Sequence, residues 1–195
     1  FDPGPGVFNL ASDALGDGFV LKLNTNGAFI HAGRMGGNSR VRNSSLKLDN
    51  TGHIYITGHF DGTADFDPGS GSQLLSSPID DDDVFIAKYD LDLNLVWVKQ
   101  VGGPSYQKVF AVETDDADNI YLTGHYHGTA DFDPGPAVYN LSTNGDPDIF
   151  VLKLSSTGEF VWVAASTGPF YGSGYALQVD RLKNIFIGGT FEGTI

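Results

Sequence analysis

Short apolar runs recur along the chain, each closed off by glycine, aspartate or asparagine. Three are nearly identical: Asp17-Gly-Phe-Val-Leu-Lys-Leu23, Asp83-Val-Phe-Ile-Ala-Lys-Tyr89 and Asp148-Ile-Phe-Val-Leu-Lys-Leu154. Each is followed by a second run, Phe29-Ile-His-Ala32, Leu95-Val-Trp-Val98 or Phe160-Val-Trp-Val163, after turns that include Asn26-Gly27 and Thr157-Gly158. Upstream, Val109-Phe-Ala-Val-Glu-Thr-Asp115 and Tyr175-Ala-Leu-Gln-Val-Asp180 alternate in polarity. A polar turn such as Asp49-Asn-Thr-Gly52 then leads into Ile54-Tyr55, Ile120-Tyr121 or Ile185-Phe186. Runs this short, β-branched or aromatic and bounded by turn formers, predict strands rather than helices. Each copy reads as four strands, A to D in chain order, with hairpin turns between A and B and between C and D.

The period is set by a pentad, Asp-Phe-Asp-Pro-Gly, whole at 65–69 and 131–135 and without its first residue at 1–4. Phe1, Phe66 and Phe132 therefore mark three repeats, taken as 1–65, 66–131 and 132–195 of one segment. A repeat of this size cannot bury its apolar faces alone and must stack on its neighbours. The C strands support stacking. Val84-Phe-Ile-Ala87 and Ile149-Phe-Val-Leu152 are apolar throughout, whereas an antiparallel sheet with one wet face alternates. Four antiparallel strands covered on both faces describe a blade of an all-β propeller. In phase, the chain runs C–D of one blade, two blades A–D, and A–B of another. That is three blades' worth, while closed rings use about 4–8. We expect the ring to be completed by further blades or by another chain. Self-association through the open terminal edges would pair A–B of one molecule with C–D of the next. The start inside a motif, without Met, reads as part of a longer protein.

The pattern Ala-Val-x-x-Asp-x-x-x-Asn-Ile-Tyr-x-Thr-Gly, then Asp-x-Phe-x-x-Lys, then Val-Trp-Val-x-x-x-Gly-Gly, resembles the bacterial secreted β-propeller repeat family (SBBP). It is more distantly similar to NHL-type blades. The resemblance spans essentially the whole chain and implies a propeller that is extracellular or on the cell surface. Two copies depart from it. His31 stands where Trp97 and Trp162 do, and Gly188-Gly189-Thr190 replaces Thr-Gly-His.

Composition narrows the partners. The net charge of −13 leaves little to neutralise phosphates and argues against nucleic acid and anionic membrane surfaces. It suits cations, neutral sugars and basic proteins. With no cysteine, disulfides and thiolate metal sites are excluded. No apolar run approaches the ~20 residues of a membrane helix, so no membrane insertion is expected.

The departure from a minimal blade is a long insertion between B and C, at 61–82 and 127–146 and in part at 1–16. It shares a propeller face with the D–A crossovers, opposite the short hairpins, and makes that face the expected recognition surface. Within the pentad, Pro fixes φ, Asp bonds the following backbone and Gly permits positive φ, so it reads as a turn and loop anchor. Asp65 and Asp67, like Asp131 and Asp133, alternate about a phenylalanine. Their carboxylates, with loop carbonyls, form the one candidate metal site, for Ca²⁺. The acidic run 80–83 reads as a solvated loop, apart from Asp83, which matches Asp17 and Asp148 at the entry to C. The run 115–118 reads as a turn. Lys22, Lys88 and Lys153 sit in apolar strands and are expected to pair with a recurring Asp or reach the rim. Trp97 and Trp162 read as packing between blades. His59, His125 and His127 do not recur in the third copy and read as non-metal. No nucleophile-elbow, zinc-protease or phosphate-loop motif is present. We expect a non-enzymatic module for recognition, adhesion or scaffolding that binds a protein or carbohydrate on its B–C face. The alternatives are a structural spacer and a polysaccharide-active enzyme.

Overall fold

The computed structural model describes residues 2, 4, 6–13, 15–38 and 40–194. Among them every regular element is a strand, and no helix is long and apolar enough to cross a membrane. The expected order is present. Strands β1 (Gly18–Leu23) and β2 (Phe29–Gly37) are a C–D pair. Strands β3 (Val41–Leu48) and β4 (His53–Phe60) pair with β7 (Asp83–Asp90) and β8 (Leu95–Val101) in one antiparallel sheet. Strands β9 (Gln107–Thr114), β10 (Ile120–Tyr126), β13 (Asp148–Leu154) and β14 (Phe160–Ala165) form a second sheet of the same order. An A–B pair follows, β15 (Gly172–Val179) with β16 (Ile185–Phe191).

These are propeller-type blades, and their cores lie between sheets. Val20 and Met35 of the first sheet pack with Ile56, Phe60, Phe85 and Tyr89 of the second. Tyr55, Ile86 and Val101 meet Val109, Leu122 and Phe150 at the next joint, and Tyr121 and Val151 meet Leu177 at the last. This is why strand C reads as an unbroken apolar run: both of its faces are dry. Trp97 and Trp162 pack into two of these joints, as their sequence context predicts.

The insertions hold structure that the sequence does not advertise. Each carries a short hairpin: β5 (Thr63–Asp65) with β6 (Leu74–Ser76), and β11 (Thr129–Asp131) with β12 (Asn140–Ser142). β5 then adds to the outer edge of the preceding blade, with Gly36 opposite Asp65 and Gly37 opposite Ala64. One period later Gly102 bridges to Asp131. Each insertion is therefore a strap that crosses an inter-blade joint. The Gly-Gly pair at the end of strand D makes the crossing possible. A Cβ on Gly36 or Gly102 would strike the carboxylate of Asp17 or Asp83. On Gly37 or Gly103 it would strike the backbone oxygen of Thr63 or Thr129 in the strap. One glycine makes room for the buried aspartate and the other for the crossing chain.

Candidate functional site

Each pentad carboxylate turns one oxygen, Oδ1, to its own loop. Asp65 Oδ1 accepts the amides of Asp67 (3.0 Å) and Gln73 (2.8 Å), and Asp131 Oδ1 those of Asp133 (3.0 Å) and Tyr139 (2.8 Å). Asp67 and Asp133 each take the amide two residues on, from Gly69 and Gly135. Burial pushes the Asp65 carboxyl up, but those amides hold it below the usual carboxylate range. Arg34 already brings a cation to the cavity of about 180 Å³ that Asp65 and Asp67 line. Among the described residues no three His, Cys, Asp or Glu converge as a metal site. Phe66 and Phe132 are fully buried. Phe66 packs on Phe60 and Phe85, Phe132 on Tyr126 and Phe150, and the Tyr89 hydroxyl donates to the Phe66 carbonyl (2.7 Å).

Two further recurring aspartates anchor the blades. Asp49 and Asp115, at the A–B turns, have buried side chains that cap the turn amides two and four residues on. Each faces the lysine of strand C: Lys88 at 3.4 Å from Asp49 and Lys153 at 3.9 Å from Asp115. Both ammoniums also lie over a tyrosine ring, Tyr55 at 5.0 Å and Tyr121 at 4.9 Å. The run 115–118 is thus more than a turn, because Asp115 also takes the Tyr121 hydroxyl. Asp83 and Asp148 are buried at the entry to strand C, and burial raises both carboxyls. Gln100 and Ser166 donate to them. The run 80–83 is only half solvated. Asp80 is exposed, while Asp82 is buried against Lys108 at 3.2 Å and its carbonyl takes the Gln107 amide. The alternation of β9, which the run itself cannot show, carries Lys108 across to it.

An aromatic and histidine cluster joins two adjacent repeats on the strap face, where strand A begins. Tyr106 stacks on His127 (5.1 Å, 11°), whose Nδ1 lies 2.8 Å from Ser105 Oγ. His125 sits edge-on to Tyr106, Phe110 and Tyr171, with its Nδ1 3.0 Å from Ser173 Oγ of the next sheet. Tyr171 and Tyr175 join hydroxyls at 3.2 Å, and Phe110 covers Tyr175 at 5.1 Å. Burial lowers the pKa of both His59 and His125 to about 4. Lys108 adds to this at both histidines, against Asp82 at His59. At the root of the first strap Leu15, Asn38, Arg40, Asp61, Ile79 and Asp80 line a cavity of about 370 Å³, in which Arg40 pairs with both aspartates. Sequence reasoning placed the two equivalent histidines but missed the tyrosines, because Ser173 and His125 are 48 residues apart and meet only across a joint.

Stacked four-stranded blades, with straps and an aromatic cluster on one face, define a β-propeller segment with one elaborated surface. Over 171 residues, 82% of the chain, it is 26% identical to an uncharacterized WD repeat-containing protein of Acanthamoeba polyphaga mimivirus, and it spans 12% of that protein's length. No protein-family model matches the chain.

Proposed function

We propose that the chain is a non-enzymatic interaction scaffold that binds a protein partner through its strap face. The observation that carries this reading is the aromatic and histidine cluster of Tyr106, Phe110, His125, Tyr171 and Tyr175. It joins two adjacent repeats across one joint and opens at Tyr175 to solvent. Aromatic side chains with a polar tip are the residues that anchor protein interfaces. Tyr171 and Tyr175 bond to one another and His125 Nδ1 meets Ser173, which favours a contact surface over a reaction centre. The WD repeats in the name of the mimiviral relative support a repeat propeller. Trp97 and Trp162 are packed in joints, which favours a protein over a sugar ring stacked on them. The net charge favours a basic partner. The resemblance to secreted repeats supports an extracellular or surface setting.

The test is a peptide-display selection on the purified chain. We expect enrichment of segments that join Lys or Arg to an apolar anchor, with binding weakened about tenfold or more by Tyr175→Ala and by added salt. Selected segments that bind Tyr175→Ala and Phe110→Ala variants undiminished would overturn the reading.

A further inference from the structure

The chain holds two Asn-Gly pairs, Asn26-Gly27 and Asn144-Gly145, and both are exposed. In such a pair the asparagine amide is open to attack by the next backbone nitrogen, because glycine brings no side chain to shield that nitrogen. The two pairs differ in what holds the nitrogen. Asn26 lies in the turn between β1 and β2. There the Gly27 amide donates to the Asn24 carbonyl (3.0 Å), and Asn24 Oδ1 takes the amides of Asn26 and Ala28 (2.9 Å each). Asn144 lies on the return limb of the second strap. Among the described residues neither its side chain nor the Gly145 amide has a hydrogen-bond partner.

The chain is fastened on either side of the second pair. Thr143 donates its amide to the Gly128 carbonyl (2.9 Å), and its hydroxyl accepts the Gly128 amide (3.1 Å), next to His127. Pro147 is buried, and its carbonyl takes the Gly172 amide of β15 across the blade joint (2.8 Å). Asn144, Gly145 and Asp146 are the exposed span between these two anchors.

We propose that Asn144 is a site of spontaneous modification to aspartate and isoaspartate, which loosens both anchors of the strap, while the turn at Asn26 protects its own asparagine. The Gly145 nitrogen attacks Asn144 Cγ. A C–N bond forms, the Cγ–Nδ2 bond breaks, and Nδ2 leaves as ammonia with the Gly145 amide proton. Water then opens the cyclic imide. Cleavage at Cγ gives aspartate, whereas cleavage at the main-chain carbonyl leaves the chain running through Cγ as isoaspartate. The net reaction consumes a water, releases an ammonia and changes no oxidation state. Either product adds a negative charge beside Asp146. Isoaspartate also lengthens the main chain between Thr143 and Pro147 by a carbon, so the two anchors no longer hold the same spacing.

Peptide mapping of the 195-residue chain, kept in warm neutral buffer, reads both sites at once. We expect amide-to-acid conversion at Asn144, as separable aspartyl and isoaspartyl peptides. Asn26 should convert about 2- to 12-fold more slowly, the factor that its turn hydrogen bond is worth. In urea the turn is lost, and the two sites should convert at the same rate. Equal rates in the folded chain, or conversion of Asn144 only in urea, overturn the protection argument and with it the site. Asn144→Asp supplies the charge without the added carbon and separates the two consequences. Hydrogen exchange at the Thr143 and Gly172 amides should rise in the purified isoaspartyl chain and stay near the parent level in Asn144→Asp. Exchange in the isoaspartyl chain equal to the parent's refutes the loosening of the strap.

Discussion

His59 and His125 hold the same place at the end of strand B, and burial holds both near a pKa of about 4 against an ordinary 6.5. Such a group binds its proton less readily folded than unfolded. Its contribution is complete above about 6.5 and is lost as pH falls toward 4, by about 1 kcal/mol per pH unit for each histidine. Lys108 faces both and Arg40, Arg42 and Asp82 face His59, so a second positive charge there has only one acid to meet. The raised carboxyls of Asp83 and Asp148 run the opposite way, gaining stability on protonation, but only over the carboxylate range. We expect the urea midpoint to drop between pH 6.5 and 5, and His59→Gln with His125→Gln to flatten that slope. An equal slope in the double variant would place the acid sensitivity elsewhere. A second residue-scale outcome concerns Gly102, where a Cβ meets the Asp83 carboxylate. Gly102→Ala should cost about 1–3 kcal/mol in denaturant unfolding, as overpacking does. Gly27, in an open turn with positive φ, offers the comparison: strain without a clash.

At the level of elements, the four strands of each blade were legible and the straps were not. Strands A to D announce themselves because Ile54-Tyr55 and Val84-Phe-Ile-Ala87 form runs long enough to show a pattern, closed by Gly and Asp. Thr63–Asp65 and Thr129–Asp131 are three residues each, too short for any period, and one of the two partners of each lies in another blade. The pentad reads as a turn and an anchor from its Pro, Asp, Gly and Phe. The amides that close on Asp65 and Asp131 are not legible in it, because Gln73 and Tyr139 lie eight residues downstream. The same geometry yields a prediction. Asp65→Ala leaves two loop amides without an acceptor and should cost about 1–2 kcal/mol, as loss of a capping side chain does. Since that oxygen is already engaged, calcium and chelator should leave the melting temperature of the parent unchanged. A rise with calcium would mean that the loop re-forms around the ion.

Across the whole molecule, a stack of blades that touched only face to face would behave as a one-dimensional array, each unit failing with little regard to the next but one. The straps alter that expectation. Phe66 lies in a strap whose first strand is hydrogen-bonded to β2 of the preceding blade, while its ring is locked between Phe60 and Phe85 of its own blade. It therefore fastens the strap to one blade as β5 fastens it to the other. Phe66→Ala should cost about 3–5 kcal/mol, the range for a large buried aromatic. The more discriminating reading is where protection from hydrogen exchange is lost. We expect amides of β1 and β2 to exchange faster together with those of β4 and β7, while β15 and β16, two joints from the blade of Phe66, change least. Loss confined to β4 and β7 would mean that the strap only covers the preceding blade's edge. In that case the inter-blade cores around Met35 and Val20 would carry the coupling unaided.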